Sequence, residues 1–283
     1  MSRADATGRA LTEEELERFC EYLYRRTGMT FGESKRYYID RRVAERMRTT
    51  GDVDFRDYFG RLRSERGELE QVINAFTINE TYFYREAHQF ACMSRELLPA
   101  LVRGREGGSR VRILCNPCAS GEEPYSVALW LLENWPLVDA YNIEIVGADI
   151  DTAALARARE GWYDPRSLSR LPAGLADAYF EPADGDRRRI IKDLRESVSF
   201  AVANLIEAAS MRALGKFDMI YCRNVLIYFD DAARRTAAEH LYDALIPGGF
   251  LLLGHSESMG PIDDRFELRR FDDAVVCQRL TTS

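Results

Sequence analysis

The chain has 283 residues, 46% hydrophobic and 30% charged, with a net charge of −7, the composition of a soluble globular protein with ample length for a buried core. Its acidity argues against general affinity for nucleic acid, and no apolar run approaches the roughly 20 residues needed to span a bilayer. The opening MSRADATGRA has no signal-peptide core, so a cytoplasmic location is expected, with the six scattered cysteines read as reduced thiols rather than disulfides.

The first part of the chain reads as all-helical. Thr12 with Glu15 forms a capping box ahead of Leu16, Phe19 and Leu23 at helical spacing, and Gly28 ends that helix. A second helix is expected from about Ser34 to Gly51, with Ile39, Val43 and Met47 on one face. Asp54 caps a third, with Phe55, Tyr58, Phe59 and Leu62 as its apolar side, and a fourth carries Leu69, Val72, Ile73 and Phe76. Between Lys35 and Arg48 there are six basic residues (Lys35, Arg36, Arg41, Arg42, Arg46, Arg48) against Asp40 and Glu45. The bland reading of that helix is a solvated face; the functional one is a dock for an anionic partner. These helices form an expected domain over 1–77, followed by a linker and connecting helix over 78–108.

From Ser109 strands alternate with helices. Strands are expected at Val111–Cys115, Asn142–Ala148, Ser197–Ala203, Phe217–Cys222 and Phe250–Leu253, and a closing hairpin at Phe266–Phe271 and Ala274–Leu280. Helices are expected at Glu122–Trp135, Thr152–Glu160 and Asp231–Ile246, the last leading through Pro247-Gly248-Gly249 into its strand. The pattern specifies an α/β domain over 109–283 with a doubly wound sheet. It is interrupted over 161–196 by an insert, part small helix and part antiparallel ribbon.

In such a sheet ligands bind beyond the carboxyl ends of the strands, and each strand end here carries polar chemistry. The first is followed by Asn116-Pro-Cys-Ala-Ser-Gly-Glu-Glu-Pro-Tyr125, whose small residues admit a ligand to the backbone and a helix N-terminus. There is no G-x-G-x-x-G, and the pair Glu122-Glu123 opposes a phosphate but suits an ammonium. Asp149, after the second strand, is placed for both ribose hydroxyls, with Asp151 as a helix cap. Asn204, which taken alone is a turn residue, stands where its amide or the neighbouring backbone meets an adenine edge. The fourth strand ends in Arg223-Asn224. A ribose, an adenine and an amino-acid end without a phosphate grip describe S-adenosylmethionine.

In order, Asn79-Glu-Thr-Tyr-Phe-Tyr-Arg85, Ser120-Gly-Glu-Glu-Pro-Tyr-Ser126, Ala148-Asp-Ile-Asp151, Cys222-Arg-Asn-Val-Leu-Ile-Tyr-Phe229 and Gly254-His-Ser-Glu257 resemble the chemotaxis receptor methyltransferase (CheR) family from about Leu11 to Leu280. The resemblance implies a small N-terminal helical domain, a linker, and an S-adenosylmethionine-dependent methyltransferase (Rossmann-like) domain bearing a small β-subdomain. It implies that Asn79, Thr81, Arg85, Glu123, Asp149, Asn204, Leu205, Arg223 and Asn224 surround the cofactor. Arg85 and Tyr228 would lie beside the methyl-transfer path. Tyr84 replaces the second Phe of the usual N-x-T-x-F-F-R, for which a packing difference alone is expected.

The implied reaction methylates glutamate side chains of bacterial chemoreceptors, yielding glutamyl methyl esters and S-adenosylhomocysteine. A glutamate is already ionised near neutral pH, so no general base is required. Receptor methylation helices are acidic in the family's picture, which gives Arg41, Arg42, Arg46 and Arg48 a docking role. Whether the insert near Asp184 to Leu194 binds a receptor tail peptide stays open. Cys115 and Cys118 are read as packing residues rather than a redox pair, no metal site is expected, and His255 is read as a satisfied loop histidine. Two alternatives stand beside this reading: a non-catalytic S-adenosylmethionine-binding regulator, and a methyltransferase for another acceptor. A nucleic-acid enzyme is disfavoured by acidity and by Arg223-Asn224-Val225-Leu226 in place of N-P-P-Y.

Overall fold

The computed structural model describes residues 10–182, 185–259, 263–272 and 274–280. The chain divides into two compact units. One comprises the residues up to Ile78 together with Tyr228–Ala233, and the other Asn79–Ile227 together with the residues from Arg234 onward.

The first unit is helical: α1 (Glu13–Thr27), α2 (Arg36–Thr50), α3 (Phe55–Ser64) and α4 (Arg66–Phe76). Local chemistry sets its boundaries. The Glu15 N–H donates to Thr12 Oγ1 while the Thr12 N–H donates to Glu15 Oε2, the reciprocal capping box. Gly28 and Gly51 close α1 and α2 at φ 73° and 78°, a conformation that costs glycine nothing. Asp54 caps α3. The apolar faces meet in a core of Phe19, Leu23, Ile39, Val43, Tyr58, Leu62, Val72 and Phe76. A segment from far along the sequence completes the unit: Phe229 bridges Met29, the Thr30 N–H donates to the Tyr228 carbonyl at 2.9 Å, and Tyr24 Oη donates to Asp230.

The second unit begins with a helical stretch, α5 (Ala87–Cys92), a π turn over Met93–Leu97 and α6 (Leu98–Val102). The π turn ends just before Pro99, which has no N–H to donate to a helical ladder. β1 (Arg110–Cys115), α7 (Glu122–Asn134), β2 (Asn142–Asp149) and α8 (Thr152–Glu160) follow. The insert contains β3 (Trp162–Tyr163), α9 (Pro165–Leu168), α10 (Leu175–Tyr179), β4 (Phe180–Pro182), β5 (Arg188–Ile190) and α11 (Lys192–Ser197), its strands paired antiparallel in the order β3-β5-β4. Asp184, at the start of the stretch considered for tail-peptide binding, lies outside the described residues.

The main sheet resumes with β6 (Val198–Val202), α12 (Ala208–Ala213), β7 (Phe217–Cys222), α13 (Asp231–Ala244), β8 (Leu245–Leu253), β9 (Phe266–Arg270) and β10 (Val275–Arg279). Its order is β6-β2-β1-β7-β8-β10-β9, parallel except for β10, which runs against both neighbours. β8 starts five residues earlier than the sequence suggests. Pro247-Gly248-Gly249, read there as a turn, lies inside the strand, where Phe217 faces Leu245 and Met219 already faces Phe250. The intervening residues bulge, which the glycines permit. Strand order reverses between β1 and β7, so the crevice for a ligand opens beyond Cys115 and Cys222.

Candidate functional site

The loop after β1 is shaped by what surrounds it. The Cys118 N–H donates to the Ala148 carbonyl, and the Ala119 N–H donates to Asp149 Oδ2 at 2.7 Å, with Ala119 at φ 46°. Gly121 opens α7 at φ 93°; a Cβ there would meet Ala158 Cβ at 2.9 Å and Tyr163 Oη at 3.1 Å. Only glycine therefore lets the loop turn into the helix.

Asp149 is buried at the end of β2, and its other oxygen accepts the Asp151 N–H at 2.9 Å. Burial raises its carboxyl to about 6, against the backbone donors of Asp151, Ala119 and Ile150 that favour the ionised form. Asp151 caps α8 through the Ala154 N–H, as expected, and its second oxygen accepts from Asn79 Nδ2 at 2.6 Å. The linker asparagine is thereby fixed to the cap of α8, two residues after Asp149.

The two α7 glutamates separate in role. Glu122 accepts from the hydroxyls of Ser120 (2.8 Å) and Ser167 (3.0 Å), which ties it to the insert, and burial raises its carboxyl. Glu123 is paired through Oε2 with the guanidinium of Arg223. Burial pushes the Glu123 carboxyl upward despite this partner, while its Oε1 is buried with no hydrogen-bond partner. An orphaned carboxylate oxygen in the crevice is an acceptor awaiting a donor. It fits an ammonium better than it fits any anion. Arg223 further donates to the Arg85 carbonyl at 2.9 Å and lies over the rings of Phe90 and Tyr221.

The remaining sequence-assigned residues fall as follows. Arg85 is half-buried, with Nη1 donating to the Glu80 carbonyl at 2.8 Å, and Thr81 is half-buried in the same linker. Asn204 forms a turn, its Oδ1 accepting the Ile206 N–H at 3.1 Å. Leu205 is buried, and its carbonyl lies 2.7 Å from His240 Nδ1. Asn224 adopts φ 58° after β7. Asn79, Thr81, Arg85, Glu123, Asp149, Asn204, Leu205, Arg223 and Asn224 all belong to the second unit, whereas Tyr228 is counted with the helical one.

Two contributions escaped the sequence reading. The insert holds the cofactor loop and the linker, through Tyr163 Oη donating to the Ser120 carbonyl (2.9 Å) and the Phe83 N–H donating to the Ser167 carbonyl (2.9 Å). Glu257 accepts four backbone N–H groups, from Asn224, Val225, Leu226 and Gly254, at 2.7–2.9 Å. No local pattern announces either, because the partners are remote in sequence. In the same motif, Gly254-His-Ser-Glu257, the His255 Nδ1 lies 3.1 Å from Glu86 Oε1 in an exposed position.

Among the arginines expected to dock, Arg46 already has a partner. It is held by Glu68 through Nε (3.0 Å) and Nη2 (2.6 Å), both side chains largely buried, and Glu68 also accepts from Tyr58 Oη. It is therefore part of the helical core's polar lining. Arg42 shares its side of α2 and lies over Tyr38 at 5.1 Å. Arg41 and Arg48, two turns apart, are exposed on one face with Tyr37. Cys115 and Cys118 are buried, and that burial pushes both thiols well above their usual range, so neither supplies a thiolate near neutral pH.

Comparison with known proteins now adds to this geometry. Residues 14–77 match a family model described as CheR methyltransferase, all-alpha domain, and residues 79–275 one described as CheR methyltransferase, SAM binding domain. Chemotaxis protein methyltransferase 2 of Vibrio cholerae is 45% identical over 263 residues, covering 92% of this chain and 91% of that protein. The chemotaxis protein methyltransferase of Escherichia coli is 34% identical, covering 92% and 90%. Chemotaxis protein methyltransferase 1 of Pseudomonas aeruginosa is 32% identical, covering 93% and 96%.

Proposed function

We propose, from the premise that this chain belongs to the CheR methyltransferase family, that it methylates glutamate side chains of bacterial chemoreceptors in the cytoplasm, using S-adenosylmethionine. The observation that carries the cofactor reading is a pair of buried acceptors, Asp149 at the end of β2 and Glu123 in the first turn of α7. Asp149 has carboxylate capacity beyond the backbone N–H groups of Ala119, Ile150 and Asp151, which suits a ribose hydroxyl, and Glu123 keeps Oε1 unpaired, which suits an ammonium. Arg223 fixes the Glu123 carboxylate, and Asn79 is steered by Asp151.

When bound, S-adenosylmethionine supplies an electrophilic methyl group on a sulfonium. The protein's part is to hold and orient the acceptor and to exclude water. The acceptor carboxylate is ionised near neutral pH and needs no base. Arg85 has one guanidinium nitrogen on the Glu80 carbonyl and further N–H groups for a substrate carboxylate. Tyr228 is assigned a hydroxyl role beside the transferring methyl by family resemblance. Arg41 and Arg48, with Tyr37 one turn before Arg41, form the docking face for an acidic receptor helix.

The test is direct. Purified protein is incubated with methyl-labelled S-adenosylmethionine and cytoplasmic receptor fragments, and alkali-labile label is counted. Base-labile methyl on the receptor is the expected result. Binding of S-adenosylhomocysteine without any receptor label would overturn the acceptor assignment.

A further inference from the structure

We infer that Glu257 is a positioning residue for methyl transfer: its carboxylate sets the conformation of the loop that carries Arg223 and Asn224 and enters the turn ending at Tyr228. The inference rests on the reading of the chain as an S-adenosylmethionine-dependent enzyme.

A carboxylate has about four in-plane acceptor positions, and here four backbone donors occupy them. Oε2 accepts from Asn224 (2.7 Å) and Gly254 (2.9 Å); Oε1 accepts from Val225 (2.9 Å) and Leu226 (2.8 Å). Three consecutive N–H groups converging on one anion form a backbone nest. The convergence requires Asn224 at φ 58°, a conformation that asparagine tolerates better than most residues. The same carboxylate closes its own loop, since the Glu257 N–H returns to the Gly254 carbonyl at 2.9 Å. Gly254 is confined by this arrangement: a Cβ there would meet Asn224 Nδ2 at 2.7 Å and Glu257 Oε2 at 2.8 Å.

One side chain thus ties together the segments that follow the neighbouring strands β7 and β8. With its acceptor positions filled, Glu257 has no capacity to serve as a base or to bind substrate. Its effect passes through the backbone of Asn224–Leu226, which leads from Arg223 on one side to the turn Leu226–Tyr228 on the other. Without the anion, three consecutive N–H groups lose their acceptor together.

Glu257→Gln keeps the shape but replaces one oxygen by an NH2 group that faces two N–H donors. The expected signature is S-adenosylhomocysteine binding weakened by about tenfold or more and kcat reduced by about 10- to 100-fold. The KM for receptor fragments should stay within about twofold, since docking is assigned to the other unit. Amide exchange at Asn224–Leu226 should accelerate while the far-UV spectrum is retained. A generally destabilised protein would not show that split between kcat and receptor KM. If Glu257→Gln does not fold, Glu257→Asp, which shortens the reach to the nest, carries the same test. A folded variant with wild-type cofactor affinity and wild-type kcat overturns the inference alone. Wild-type protein that fails to bind S-adenosylhomocysteine overturns the enzyme reading and this inference with it.

Discussion

Replacing Arg46 by alanine separates two physical roles for the basic helix. Arg46 makes a two-pronged ion pair with Glu68, and the exposures are 17% and 5% of the two side chains. Removing one member of a buried pair strands the other charge, at a cost of about 3–5 kcal/mol. Tyr58 Oη donates to Glu68 at 3.0 Å with or without Arg46 and so offsets none of that loss. The expectation for Arg46→Ala is a loss of about 3–5 kcal/mol from the helical unit. Arg41→Ala, on the exposed face, should change stability by no more than about 0.5 kcal/mol. Urea denaturation of the full chain, followed by tyrosine fluorescence and circular dichroism, reads both, with receptor-fragment affinity measured in parallel on folded protein. A stable Arg46→Ala variant with weakened receptor binding would refute the reasoning and return Arg46 to the docking surface.

Four further outcomes are expected. Arg41→Ala with Arg48→Ala should raise receptor KM several-fold at low ionic strength, with the difference from wild type fading in salt as exposed charges are screened; a salt-independent difference would exclude electrostatic docking. Gly121→Ala should cost about 2–4 kcal/mol, from the left-handed backbone and the overpacking against Ala158 and Tyr163, and should weaken cofactor binding; calorimetry with S-adenosylhomocysteine checks it. The Asp149 carboxyl titrates near 6 in the folded cofactor-free protein, above its unfolded value, so it favours folding at low pH and that contribution is lost as pH rises from 3.8 to about 6. Binding to ribose hydroxyls runs the other way: affinity should fall as pH drops through about 6, and Asp149→Asn should bind about 10- to 100-fold more weakly with that pH dependence gone. Arg85→Ala and Tyr228→Phe should lower kcat by about 100-fold while S-adenosylhomocysteine still binds, and full turnover in either variant would remove that residue from the mechanism.

Local chemistry made most of the fold legible. The capping box at Thr12 and Glu15, the αL glycines at 28 and 51 and the Asp54 and Asp151 caps place helix ends to within a residue or two. Short apolar runs place β1, β2 and β7 in the same way. Misreadings arose where a local signal has two physical meanings. Pro247-Gly248-Gly249 is turn chemistry in isolation, but in the sheet it forms a bulge. A run of arginines on α2 looks like one basic face, yet helical spacing puts Arg42 and Arg46 on a different side from Arg41 and Arg48, and only the fold reveals Glu68 as a partner. The acids at strand ends could be found because the α/β pattern says where to look. Glu257 could not, since its four acceptor contacts include three that are more than thirty residues away.

The six residues Tyr228–Ala233 bear on how this enzyme can be recombined. In sequence, residues 14–77 look like an exchangeable cassette that could be traded between relatives. The helical unit is not continuous in the chain, however; its Met29, Thr30 and Tyr24 contacts are made to a stretch encoded some two hundred residues later. A transplanted cassette meets a foreign version of that stretch, beginning at the proposed catalytic tyrosine. Exchange of the helical unit is thus a two-fragment operation, and a chimera joined only at the linker would carry a mismatched seam.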